Sequence, residues 1–139
     1  MTGHQCFVDS NIILYAHDIE DPLKYKTANG LLLSFWGQEV MPSISIQVLQ
    51  EIYANLIRKN MTAKNARDII ESYIKWNVIE NDIWVLQEGM RLKEKLQLSI
   101  WDSFIIAAAK KVHVKYILSE DLSHNREYEG IRIINPFLK

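Results

Sequence analysis

One cysteine, three prolines and five glycines punctuate 139 residues, and each scarcity removes a class of protein. A lone Cys6 forbids an internal disulfide, so the chain is no disulfide-stapled module and fits a reducing, cytoplasmic setting. His4, His17, His113 and His124 show no H-x-x-x-H or His/Cys ligand spacing, which removes a zinc centre and leaves them as surface or loop residues. A glycine-rich phosphate loop is missing; "ANGLL" carries one helical glycine. No serine stands in a nucleophile elbow. No apolar run approaches the roughly 18–20 residues needed to cross a bilayer, and the N-terminus lacks the basic and apolar regions of a signal peptide. A dominant charge is also missing, since 16 Lys and Arg stand against 17 Asp and Glu. Any nucleic-acid contact must therefore come from a local basic patch.

What is present is an ordinary globular composition, 48% hydrophobic and 24% charged, long enough for one domain over residues 1–139 with a real core. "QCFVD" (5–9) reads as a short buried strand and "IILYAHD" as a helical turn or two. Asp21-Pro22 opens a helix that stops near Gly37, with the acid as cap and proline in the first turn. "EVMPSI" (39–44) is a second strand, weakened at its end by Pro42. From Ser45, the residues Val48, Leu49, Ile52, Tyr53 and Leu56 recur with helical spacing as far as Lys59-Asn60. Thr62 caps a helix over 63–76, "NVIEN" (77–81) is a strand, and Asp82 caps a helix over 83–97. A helix over 99–111, a strand over 115–119 and a strand over 131–135 follow. Strands that alternate with helices and are apolar on both faces predict an α/β fold, with a mainly parallel sheet covered on both sides. Ligands of such folds gather beyond the carboxyl ends of the strands.

Asp9 and Asp121 both fall at such ends. Each has an ordinary explanation: Asp9 as a turn or helix cap, and the Glu120-Asp121 pair as part of a polar turn. Glu51 lies off the apolar stripe of its helix, as a solvated surface residue would. Ser99-Ile100-Trp101-Asp102 matches a capping box, which gives Asp102 a structural use as well. The spacing of these acids leaves both uses open. Trp36, Trp76, Trp84 and Trp101 read as core or interface anchors. With Phe35, Tyr53 and Tyr73 they give the predicted helices more large apolar surface than one small core needs, so a protein interface is expected.

Taken in order, "FVDSNIILYA", "SISIQVLQEIYANLIRK", "SIWDSFIIAAA", "YILSEDL" and "GIRIINPF" resemble the successive motifs of a PIN domain. They are most similar to those of the VapC-like ribonuclease toxins of bacterial and archaeal toxin–antitoxin modules. The resemblance implies a three-layer α/β/α sandwich around a mainly parallel, about five-stranded sheet, and commonly a homodimer. It implies that Asp9, Glu51, Asp102 and Asp121 form an acidic centre, with Asn11 and Ser119 as polar supports. Glu120, beside Asp121, stands as a rival for the fourth carboxylate. The activity implied is divalent-metal-dependent endoribonuclease, with Asp9, Asp102 and Asp121 holding Mg²⁺ or Mn²⁺ and Glu51 ligating it or positioning water. Both ions are hard cations that take oxygen ligands, and they neutralise phosphodiester oxygens and activate water. Carboxylates crowd together only at an electrostatic cost that such a cation removes. An acidic pocket repels RNA by itself, so Arg58, Lys59, Lys64 and Arg67, around one helix–helix turn, are candidates for drawing phosphates in. Their other reading is a solvated helix end. The implied partners are RNA and a cognate antitoxin, with no membrane. The rival classes are a non-catalytic PIN-fold RNA-binding or assembly module, and a metal-dependent nuclease acting on DNA.

Overall fold

The computed structural model describes residues 1–138. Six strands form one sheet: β1 (Cys6–Val8), β2 (Ser43–Ser45), β3 (Asn77–Ile79), β4 (Tyr116–Leu118), β5 (Glu127–Tyr128) and β6 (Ile131–Ile134). Their order across the sheet is β3-β2-β1-β4-β6-β5. Every pairing is parallel except that of β5 with β6. Six helices connect them: α1 (Ser10–Tyr15), α2 (Pro22–Trp36), α3 (Ile46–Arg58), α4 (Ala63–Tyr73), α5 (Ile83–Leu96) and α6 (Ile100–Lys111). Helix α1 packs on both α2 and α3, α3 packs on α4, and α5 packs on α6 as a separate pair, which gives the expected α/β/α layering. Among the described residues no helix is long and apolar enough to cross a membrane.

The sheet has one strand more than the sequence predicts. Strand β5 is only two residues long and reverses into β6 through Glu129 and Gly130, at φ 52° and 87°. Too short to show alternation, it is held from outside. The Glu129 carboxylate accepts from Arg91 at 2.7 Å, Lys95 at 2.9 Å and Lys110 at 3.1 Å, cations that belong to α5 and α6. Two other boundaries move. Strand β2 begins after Pro42 rather than before it, and the Pro42 carbonyl accepts from the Asn77 amide. Helix α4 ends at Tyr73, so Trp76 sits in the turn beyond it. There Trp76 packs edge-on against Phe35, Trp36 and Tyr73.

Strand β1 is fully buried along its whole length, as a strand covered on both faces must be. It also lies at the point where the strand order reverses: β2 and β3 extend to one side of it, β4 and β6 to the other. The crevice beyond β1 and β4 is the place where this topology gathers ligands.

Candidate active site

Strand β1 runs directly into Asp9, whose amide continues the ladder by donating to the Leu118 carbonyl at 2.9 Å. Asp9 is 5% exposed. Its Oδ1 accepts from the Ser10 amide at 2.8 Å, which caps α1, and its Oδ2 accepts from Ser119 Oγ at 2.8 Å. The cap and the cleft are therefore two uses of one carboxylate. The short "DSN" break arises because α1 starts at Ser10 with no intervening loop.

Around Asp9 stand three more acids, delivered by separate elements. Asp121 follows β4 and accepts from Asn11 Nδ2 at 3.1 Å through Oδ2. Glu51, on α3, accepts from Ser10 Oγ at 3.2 Å and from Gln47 Nε2 at 3.0 Å. It is half-buried rather than a solvated surface residue. Asp102 lies in the first turn of α6, and its amide donates to Ser99 Oγ at 3.1 Å, the serine half of the expected capping box.

Three of the carboxylates are pushed up, chiefly by burial. Burial pushes Asp9 up from 3.8 to about 7 against the hydrogen bonds from Ser119 and Ser10, and the charges of Glu51 and Asp121 add to the rise. Glu51 is raised by burial and by the charges of Asp102 and Asp121. Asp102 is raised by burial and by Asp121. Among the described residues, none of the four has a Lys, Arg or His partner, whereas Asp18, Glu120, Asp68, Glu88, Glu129 and Asp82 all do.

The two polar supports knit the crevice. Asn11 Oδ1 accepts from the Glu120 amide at 3.0 Å while its Nδ2 serves Asp121. Ser119, fully buried, donates to Asp9 and accepts from the amides of Asp121 at 3.2 Å and Leu122 at 3.4 Å. Glu120 turns the other way. Its carboxylate pairs with Lys24 and accepts from the Tyr15 hydroxyl at 3.0 Å. Lys24 in turn lies 4.7 Å above the Tyr15 ring. The geometry therefore joins Asp121, not Glu120, to the other three acids.

Two of the four candidate cations border this crevice. Arg58 and Lys59 line a groove of about 280 Å³ together with Asn11, Asn55, Glu120 and Asp121. Lys59 also pairs with Asp18 at 2.9 Å, and Arg58 with Asn55. Lys64 and Arg67 sit on α4 and do not line the groove; Lys64 pairs with Asp68 at 3.0 Å one turn on. Two residues bonded to the four acids escaped the sequence reading, Ser10 and Gln47, as did Tyr15 and Lys24, which hold Glu120. Only Gln47 left a signal, four positions before Glu51 on the same helix face.

Four carboxylates with amide and hydroxyl supports form a hard, all-oxygen donor set of the kind Mg²⁺ and Mn²⁺ take. Among the described residues no three Asp, Glu, His or Cys side chains converge tightly enough to enclose an ion by themselves.

Comparisons with known proteins agree with this architecture. The profile of the PIN domain family matches residues 6–128. No curated protein matches the sequence. Among solved structures, a toxin–antitoxin complex from Klebsiella pneumoniae superposes with a TM-score of 0.69 at 15% identity, over 94% of this chain and 97% of that one. VapC20 of Mycobacterium tuberculosis, a sarcin–ricin-loop-cleaving toxin, gives 0.67 at 17% identity over 84% and 89%. VapBC2 of Rickettsia felis, bound to a fragment of its promoter DNA, gives 0.64 at 13% over 92% and 96%. At these identities the likeness is one of fold.

Proposed function

The chain belongs to the PIN domain family, and on that premise we propose that it is a divalent-metal-dependent endoribonuclease, the toxin of a toxin–antitoxin pair. The observation that carries the reading is the set of four mutually repelling carboxylates, Asp9, Glu51, Asp102 and Asp121, left without a cationic side chain at the switch-point crevice. Asp9, Asp102 and Asp121 would hold Mg²⁺ or Mn²⁺. When bound, that cation would supply neutralisation of the phosphodiester oxygens and a more acidic attacking water. Glu51, within α3 rather than at a strand end, would ligate the ion or orient the water. Ser119, Ser10 and Asn11 aim the carboxylates, and their hydrogen bonds keep Asp9 and Asp121 in place before any ligand arrives. Arg58 and Lys59 draw RNA phosphates into the groove that Asp121 also lines.

Two protein partners complete the reading. One is a second copy of the chain. Ile83, Leu86 and Met90 on α5 and Trp101 on α6 are exposed large apolar residues, and burying such a patch is what a dimer does. The other is an antitoxin segment that lays apolar side chains in a helix-lined groove and directs a basic residue at Asp9 and Asp102 through charge-assisted hydrogen bonds.

The test is cleavage of RNA and DNA side by side, with Mg²⁺, Mn²⁺ or EDTA, by the wild type, Asp9→Asn and Asp102→Asn. Metal-dependent cutting of RNA alone, abolished in both variants, is expected. Undiminished cleavage by both variants overturns the site. RNA binding without cleavage points to an assembly module, and cutting of DNA to a different nuclease. Sedimentation as a monomer at high concentration removes the dimer, and harmless expression of active protein without its partner removes the toxin role.

A further inference from the structure

Gln47 occupies the second position of α3 and is 6% exposed. Its Nε2 donates to Glu51 Oε1 at 3.0 Å and to the Trp101 carbonyl oxygen at 3.2 Å. Both amide hydrogens are thereby used. Its Oε1 is buried with no hydrogen-bond partner. Flipping the amide would turn that oxygen onto a carboxylate and a carbonyl, acceptor against acceptor, so the surroundings dictate the orientation. A buried acceptor left unpaired costs stability, and an apolar side chain of the same length, such as methionine, avoids that cost. Packing alone therefore gives no reason for glutamine here. The reason lies in the two acceptors it serves.

Those acceptors belong to different walls of the crevice. Glu51 is one of the four acids, and the Trp101 carbonyl belongs to the first turn of α6, next to Asp102. Ser10 Oγ donates to the other Glu51 oxygen at 3.2 Å. Each oxygen of the carboxylate thus has one donor, which fixes its plane, and the donors come from α1 and α3. The bond to Trp101 ties this arrangement to α6.

We propose that Gln47 is the positioning residue for Glu51: it holds the carboxylate at the crevice and couples its place to that of Asp102. The inference rests on the nuclease reading above and goes beyond it in naming the residue through which α3 and α6 are kept in register. Gln47 acts through Glu51 and does not itself touch the reacting atoms.

The test compares full-length wild type, Gln47→Met, Glu51→Gln and the double variant. Each is measured for thermal unfolding in EDTA, Mn²⁺ binding by calorimetry without RNA, and single-turnover RNA cleavage. Gln47→Met should unfold no more than about 2 °C below the wild type. It should weaken Mn²⁺ binding by about three- to tenfold in the wild-type background and leave it unchanged in the Glu51→Gln background, because a residue acting through another is non-additive with it. The rate of the bound complex should fall about tenfold, with the RNA concentration at half-saturation moved less than about threefold. A Gln47→Met protein that melts well below the wild type assigns the residue to packing and overturns the proposal. Equal Mn²⁺ weakening in both backgrounds, or unchanged binding and cleavage, also overturns it. Absence of Mn²⁺ binding and RNA cleavage in the wild type itself would instead remove the nuclease reading.

Discussion

Replacing Asp9 with Asn should stabilise the metal-free protein at neutral pH, although it removes a residue with two good hydrogen bonds. The sign follows from the shift. Asp9 has an ordinary value of 3.8 and is pushed to about 7 in the folded chain, chiefly by burial. The native state thus binds a proton that the unfolded chain has released between about pH 4 and 7. Stability is highest at the acidic end of that window, falls as pH rises through it and stays at its lowest above it. A shift of roughly three units corresponds to about 4 kcal/mol at about 1.4 kcal/mol per unit. Asparagine recovers only part of this. It keeps the acceptor for the Ser10 amide, but its NH₂ faces Ser119 Oγ, which already accepts from the amides of Asp121 and Leu122. That mismatch costs about 1–2 kcal/mol. The net gain above pH 7 is then about 2–3 kcal/mol, or very roughly 6–9 °C in Tm for a chain of this size. The assay is thermal unfolding in EDTA from pH 4.5 to 8. The wild type should lose stability across the window. The variant should lose much less, its residual slope set by Glu51 and Asp102, whose values are raised in the same direction, against His17, which burial lowers from its ordinary 6.5 and which acts with the opposite sign. Glu129, held down to about 2 by Lys95, Arg91 and Lys110, acts with the opposite sign but only below its ordinary range. A variant less stable than the wild type at pH 8 in EDTA, or parallel curves for the two, would refute the reasoning.

Other perturbations address the remaining parts. Asp121→Asn should abolish cleavage, whereas Glu120→Gln should leave it within a few-fold of the wild type, because the Glu120 carboxylate is taken up by Lys24 and Tyr15; the reverse order in a cleavage assay would exchange their roles. Arg58→Ala with Lys59→Ala should weaken RNA binding and lower the log–log salt slope by very roughly 1–2 units; an unchanged slope places the RNA path elsewhere. Gly89→Ala should destabilise the chain by about 1–3 kcal/mol despite the better helix former, since a Cβ there would meet Phe104 Cδ1 at 2.2 Å. Unfolding curves should show recovery when Phe104→Leu is added, and a raised Tm in Gly89→Ala alone would contradict this packing.

The sequence made the sheet legible wherever a strand was apolar on both faces, as in "CFV" and "YIL", because burial on both sides is a property of the segment itself. Strand β5 escaped because its place depends on Glu129 reaching cations on α5 and α6, a relation between residues 19 to 38 positions apart. The site divides in the same way. Asp9 and Asp121 could be marked from the strand-end rule. Glu51 and Asp102 carry local signatures of a surface residue and a helix cap, and only the resemblance grouped them. Their actual neighbours are set by how α3 and α6 dock on the sheet. The choice between Glu120 and Asp121 was invisible for the same reason: the residue that separates them, Lys24, lies 96 positions from Glu120.

These long-range pairings share one consequence for the crevice. Lys24 occupies Glu120, Lys59 occupies Asp18, and Arg91, Lys95 and Lys110 occupy Glu129. These cations are engaged by acids outside the quartet, and Arg58, which borders the crevice, pairs with Asn55. Had Lys24 paired with Asp121 instead, it would have supplied the charge that a divalent ion is to bring, and the crevice would have been a closed ion pair. Asp9, raised chiefly by burial and further by the charges of Glu51 and Asp121, thus has no cation of the chain to bring it down. The same vacancy in charge makes the crevice open to neutralisation by a partner's basic side chain, so activity and inhibition would compete for one electrostatic feature. An inhibitor working this way must weaken Mn²⁺ binding, and Mn²⁺ must weaken the inhibitor by the same factor, since the coupling of two ligands at one site is reciprocal.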